Sequence, residues 1–188
     1  ETELLRRNLQ PHFIMNSLML IVEWVETQPK LAVEFIEALA EEFRLLNTLS
    51  QQKLIPVEQE LELCKQHCQI MSSRYQQTVS LDSTGSVSSF HLPPAILHTV
   101  IENAFSHNRM LEGDSIRVNA TQHKGMVQLI ITAPYRNQQH SGTGTGESYI
   151  KARLTEQFEQ NWQYQSNPID QTHWQTEITM PLITRLKD

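Results

Sequence analysis

The sequence predicts an α+β fold: an antiparallel helix hairpin over residues 1–54, then an α/β sandwich over residues 55–188 with a mixed sheet and helices on one face. Three observations predict it. Up to residue 75 the apolar residues recur at helical spacing; beyond it alternating stretches interleave with helical ones; and the break at Thr27, Gln28 and Pro29 is short enough only for a tight return.

Each element follows from local chemistry. The first helix runs to about residue 26, with Leu5, Leu9, Phe13, Leu20 and Trp24 along one side. Thr27 or Gln28 can cap the second, and Pro29 takes its first position, where a missing N–H is not needed. That helix extends to about Gln51 with Ile36, Leu39, Ala40, Phe43 and Leu46 on its apolar stripe. Two helices bury only one side of each, and the leftover apolar surface predicts a homodimer through a four-helix bundle. Pro56 starts a third helix ending near Tyr75, with Val57, Leu61, Cys64, Cys68, Met71 and Tyr75 on one face. Residues 78–90 read as a strand and a Ser/Gly-rich loop; 92–108 as a helix announced by Pro93 and Pro94. Residues 114–134 alternate like two strands joined by a turn at Lys124 and Gly125, a helix is expected over about 147–160, and "HWQTEITMPLI" is a last strand.

Composition narrows the function. Hydrophobic residues make up 39% and charged ones 19%, enough apolar content for a core. The net charge is −6 and the basic residues are scattered, which speaks against nucleic acid as a partner, since a phosphate backbone demands a clustered positive face. No apolar run approaches the roughly 20 residues that cross a bilayer. The chain opens without Met in a helical pattern and is expected to be a cytoplasmic piece of a longer protein. The two cysteines, Cys64 and Cys68, read as buried free thiols in a reducing compartment. With His67 they are neighbours on one helix, but a tetrahedral metal site needs a fourth ligand that the sequence does not indicate.

Three stretches can carry chemistry. In "NLQPHFIMNSL", Pro11 interrupts helical spacing beside His12, as a kink or a fresh helix start, and Asn16 follows one turn later. A lone His beside apolar residues is ordinarily a half-buried ring; set apart by a proline and paired with an amide, it also suits a nucleophile. "IENAFSHN" puts Glu102, Asn103 and His107 on a helix whose core face is Ile96, Val100 and Ala104, so that Glu102 and Asn103 are expected at a rim, either as a solvated edge or as oxygen ligands for Mg²⁺. "GTGTG", with Gly142, Gly144 and Gly146 ahead of a helix, is a flexible turn or a phosphate cradle.

Together these resemble the LytS-like sensor histidine kinases. "LQPHFIMNSL" resembles the phosphoacceptor motif LQPHFLFNSL, and "LIPVEQELELCKQHCQIMSSRY" the segment that follows it. "LPPAILHTVIENAFSHN" is similar to the N box LPPLLLQPLVENAIKHG, and "GTGTGESYIKARL" to the G box GTGIGLKNVRERL. The resemblance implies a GHKL-type ATP-binding domain over 55–188 and a dimerisation and phosphoacceptor hairpin over 1–54. It implies that His12 accepts the γ-phosphoryl group of ATP and passes it to the receiver domain of a response regulator, with Asn16 assisting. Asn103 would bind Mg²⁺ with Glu102 polarising the site, His107 would lie on the nucleotide side, and Gly142, Gly144 and Gly146 would form the lid hinge and phosphate cradle. The full-length protein would sit in a bacterial inner membrane, anchored upstream.

One part of the pattern is missing. The Asp of the family D box, which accepts a hydrogen bond from the adenine amino group, is replaced: after "QLIIT" the chain reads Ala133, Pro134, Tyr135. Ser106 stands for the usual Lys and Glu147 for the usual Leu. Two readings therefore stand: an ATP-using sensor kinase, and a degenerate kinase core with weak or no ATP binding that serves as a dimeric scaffold or partner-binding module.

Overall fold

The computed structural model describes residues 11–86, 89–136 and 145–185, with backbone alone for residues 11–16, 107 and 145. The expected first helix over residues 1–10, and Gly142 and Gly144, lie outside the described residues.

Helix α1 (Pro11–Thr27) returns on α2 (Pro29–Ser50) through Gln28 alone, and Pro29 opens α2 as expected. Gln28 caps without a side-chain hydrogen bond, so the turn rests on proline geometry and on burial. Trp24 and Phe35 close the hairpin edge to face, centroids 5.4 Å apart. The buried side of α2 is Ala32, Phe35, Leu39, Glu42 and Leu49, a stripe rotated from the expected one, so Ile36 is 42% exposed. A three-and-four pattern admits both stripes, and packing against α3 (Val57–Tyr75) selects this one.

Pro56 is the N-cap of α3 rather than its first residue, because β1 (Ile55–Pro56) pairs antiparallel with β3 (His91–Leu92) and holds it extended. Val57, Cys64, Cys68 and Met71 are buried and Leu61 is half-buried, whereas Tyr75, at the last turn of α3, is exposed. Helix α4 (Ile96–His107) starts two residues beyond the double proline, since Ala95 adopts φ 64° as its N-cap. Helix α5 (Thr145–Phe158) begins two residues before its expected start.

The sheet order is β2 (Ser80–Gly85), β4 (Ser115–His123), β5 (Met126–Pro134), β7 (His173–Pro181), β6 (Gln163–Pro168). The β2–β4 pair is parallel and the remaining pairs antiparallel, making the sheet mixed. Lys124 and Gly125 turn the β4–β5 hairpin with φ 49° and 77°, as that two-residue loop requires. Ile116, Val118 and Ala120 of β4 face inward with Val127, Leu129, Ile131 and Ala133 of β5 and Ile178 and Met180 of β7. Helices α3, α4 and α5 cover that face. Strand β6 was not expected: it is an edge strand whose polar sequence, QYQSNP, carries little apolar alternation. Among the described residues no helix is long and apolar enough to cross a membrane.

Candidate functional site

The N-terminal turn of α5 lies on α4. A Cβ on Gly146 would fall 2.7 Å from Asn103 Nδ2, 2.9 Å from its Oδ1 and 3.1 Å from Thr99 Cγ2. A side chain here would force the end of the Asn103 side chain to move aside. One turn further along α5, the Tyr149 hydroxyl donates to the Pro94 carbonyl at 3.1 Å, tying the helix to the loop ahead of α4. The positive end of a helix dipole thus lies beside a half-buried amide whose oxygen can ligate a hard cation. Glu147, in the same first turn, is answered by Lys151 at 2.5 Å, so its charge is partly neutralised within the helix.

Glu102 is not at the rim. It is 6% exposed, and its Oε1 accepts a hydrogen bond from Ser106 Oγ at 2.6 Å. The hydroxyl one turn on satisfies the carboxylate, which makes burial tolerable and gives Ser106 a local role in place of the family's lysine. His107 ends α4 and His12 and Asn16 lie in α1; their backbones are helical and their side chains lie outside the described set. Among the residues expected from sequence, the structure therefore brings Asn103 and Gly146 together, while Glu102 turns inward to Ser106.

Next to the C-terminus of α4, where β5 runs out and Arg136 donates to the Arg109 carbonyl at 2.9 Å, Ala133 is buried in register with Trp174 of β7. Tyr135 packs its ring on Trp174 at 5.3 Å, and its N–H donates to the Thr172 carbonyl at 2.7 Å. Arg136 forks onto Asp114 with contacts of 2.6 and 2.9 Å. Arg136 holds the Asp114 carboxyl below its usual range, with partial burial opposing. The segment that would recognise a purine thus presents apolar and aromatic surface without the D-box carboxylate.

Sequence reasoning missed a set of buried charges between the hairpin and the sandwich. Glu60 caps α4 from a neighbouring helix, its two oxygens accepting from Ala95 N–H at 2.9 Å and His98 N–H at 3.1 Å. Burial pushes the Glu60 carboxyl up, and these N–H bonds counter it only in part. Glu42 of α2 receives His67 Nδ1 at 2.6 Å and His98 Nε2 at 2.7 Å on a single oxygen, Oε1. Burial pushes the Glu42 carboxyl up, but the charges and hydrogen bonds of His67 and His98 outweigh it and hold the group ionised. For His98, burial lowers the imidazole, and the hydrogen bond and charge of Glu42, with Glu60 and Glu102 beyond, raise it further than burial lowers it. Burial drives both thiols up, Cys68 to about 12, so neither is a nucleophile. Of this set the sequence pointed only to His67, set beside Cys64 and Cys68, because a glutamate on a helix looks the same whether buried or solvated.

Comparison with known proteins agrees with the motif reading. Residues 1–79 match the model of the histidine kinase family. The chain is 25% identical over 133 residues to the sensor protein LytS of Oceanobacillus iheyensis, covering 66% of this chain and 23% of that protein. It is 26% identical over 130 residues to the sensor protein kinase HptS of Staphylococcus aureus, covering 68% and 25%. The chain thus spans about a quarter of the length of these curated relatives. Among solved structures, a bacterial phosphotransferase superposes with a TM-score of 0.63 at 10% identity, over 94% of both chains. The Acinetobacter baumannii histidine kinase AdeS gives 0.52 at 14%, over 91% of this chain and 94% of that one. At such identities the likeness is one of fold.

Proposed function

We propose that this chain, which resembles the LytS-like sensor histidine kinases, is the cytoplasmic catalytic region of a two-component kinase that uses ATP to phosphorylate His12. The observation that carries this reading is the close seating of Gly146 on Asn103 at the α5 N-terminus, which pairs an oxygen ligand for a cation with backbone donors for phosphate. Bound Mg²⁺, held through the Asn103 amide oxygen, would supply charge neutralisation for the triphosphate. The residues of the chain do the rest. The α5 N-terminus orients the phosphates, and one His12 imidazole nitrogen forms the N–P bond as the bond from the γ-phosphorus to the bridging oxygen breaks and ADP leaves. The phosphoryl group then passes to an aspartate of a receiver domain. Two copies pair through the exposed apolar side of α1, and the region is tethered to the membrane by segments outside this chain.

One specific observation favours a second reading. With Ala133 in place of the D-box carboxylate, a charge-assisted hydrogen bond of about 1.5–3 kcal/mol to a purine is absent, roughly tenfold to more than a hundredfold in affinity. A core that binds nucleotide too weakly would act as a dimeric scaffold. Incubation with γ-labelled ATP and Mg²⁺ separates the two: acid-labile label in the wild type and none in His12→Ala supports the kinase, whereas no label at millimolar ATP overturns it.

A further inference from the structure

Glu42, His67 and His98 come from three different helices, α2, α3 and α4, and converge in the buried seam where the hairpin meets the sandwich. Their side chains are 1%, 0% and 11% exposed, and the two imidazole rings stand edge to face at 4.7 Å. Both imidazoles aim a ring nitrogen at the same carboxylate oxygen, and the second oxygen, Oε2 of Glu42, is buried without a hydrogen-bond partner among the described residues. A buried carboxylate requires compensating positive charge and partners for both oxygens; protons on the imidazoles serve only one of them.

We propose that this trio is a binding site for a Zn²⁺-class divalent cation that joins the hairpin to the helix bearing Asn103. Two imidazole nitrogens and a carboxylate are a donor set that such ions take, and the donor atoms here lie within 4.8 Å of one another. At bond lengths of about 2.0–2.1 Å, tetrahedral donors sit about 3.3 Å apart, so exchanging the bridging protons for a metal asks the His nitrogens to withdraw from Oε1 by roughly 0.7 Å. Oε2, which has no partner among the described residues, adds a fourth, short-bite donor when the carboxylate chelates, so the shell is a distorted one. The exchange balances when each ring frees the nitrogen facing Oε1: an imidazolium releases that proton to solvent and a neutral ring carries it on its other nitrogen instead, so the ligands are two neutral rings and a carboxylate. The set also completes what sequence alone left short of ligands: His67 belongs to a site, but its companions come from Glu42 and His98 rather than from Cys64 and Cys68. Because His98 and Asn103 share α4, occupancy clamps the phosphoacceptor hairpin against the nucleotide side of the sandwich. Metal binding itself does not depend on whether ATP is turned over.

The test uses the whole chain after chelator treatment and dialysis. Zn²⁺ is titrated in competition with a chromophoric chelator, and melting is followed in parallel. One equivalent bound with a dissociation constant below about 1 μM, together with a melting temperature several degrees higher, is the result expected. Glu42→Gln and His98→Gln should each weaken binding at least a hundredfold, while His123→Gln, on the exposed end of β4, should change nothing. Should either variant fail to fold, Co²⁺ substitution and X-ray absorption on the wild type decide: a shell of two imidazoles and oxygen supports the site. A thiolate-containing shell, binding undiminished in folded Glu42→Gln and His98→Gln, or failure to bind one equivalent at tens of micromolar Zn²⁺ overturns it.

Discussion

Ala133 on β5 stands in antiparallel register with Trp174 on β7, where the expected nucleotide pocket calls for a carboxylate. Ala133→Asp replaces a methyl with that group. The nucleotide-free variant should be about 1–3 kcal/mol less stable to urea, because the new carboxylate is buried without a partner. Its Mg²⁺-ATP affinity by calorimetry should rise tenfold or more over the wild type. A destabilised variant with unchanged ATP affinity would show that the end of β5 is not where a purine docks.

Gly146 offers a complementary test, since the atoms a new methyl would meet are the movable end of the Asn103 side chain and a Thr99 methyl. Gly146→Ala should leave the melting temperature within a few degrees of the wild type, because the amide can rotate away. Labelling of His12 from ATP should nevertheless fall at least tenfold, as the displaced amide no longer faces the phosphates. Equal labelling rates in the two proteins would remove Gly146 and Asn103 from the proposed site.

The hairpin leaves Met19 and Val22 each 68% exposed on α1, with Leu18, Val25 and Val33 also open. Apolar side chains so grouped are expected to be covered by a second copy. Met19→Glu combined with Val22→Glu should convert dimers to monomers in analytical ultracentrifugation while leaving far-UV circular dichroism unchanged. A dimer that persists in the double variant would exclude this face.

Asp114 and Arg136 give a pH signature. Arg136 lowers the folded carboxyl, so the folded protein holds this proton less tightly than the unfolded chain does. The pair therefore contributes fully above the ordinary value of 3.8, and the contribution fades as pH falls through and below it. Asp114→Asn should cost about 1 kcal/mol at pH 7, a modest figure because Arg136 is partly solvated. In urea titrations the gap between the two proteins should narrow from pH 5 to pH 3. A constant gap would mean that the aspartate acts through shape alone.

Periodicity and punctuation in the sequence determined most of the elements: Pro29 for the hairpin turn, Lys124-Gly125 for the β4–β5 turn, and alternating residues for the inward faces of β4, β5 and β7. Local chemistry suffices there because a proline's φ, a two-residue turn and a two-residue period are properties of neighbours along the chain. The order of Asn103 and Gly146 in their motifs was legible too, but their contact was not. Tertiary packing alone decided which stripe of α2 turns inward, hides Glu102 beneath Ser106 and adds β6 as a polar edge strand. It also gathers Glu42, His67 and His98, widely spaced in the chain, onto one oxygen. A glutamate on a helix has the same spacing whether it meets water or two imidazoles; its partners exist only once three helices have packed.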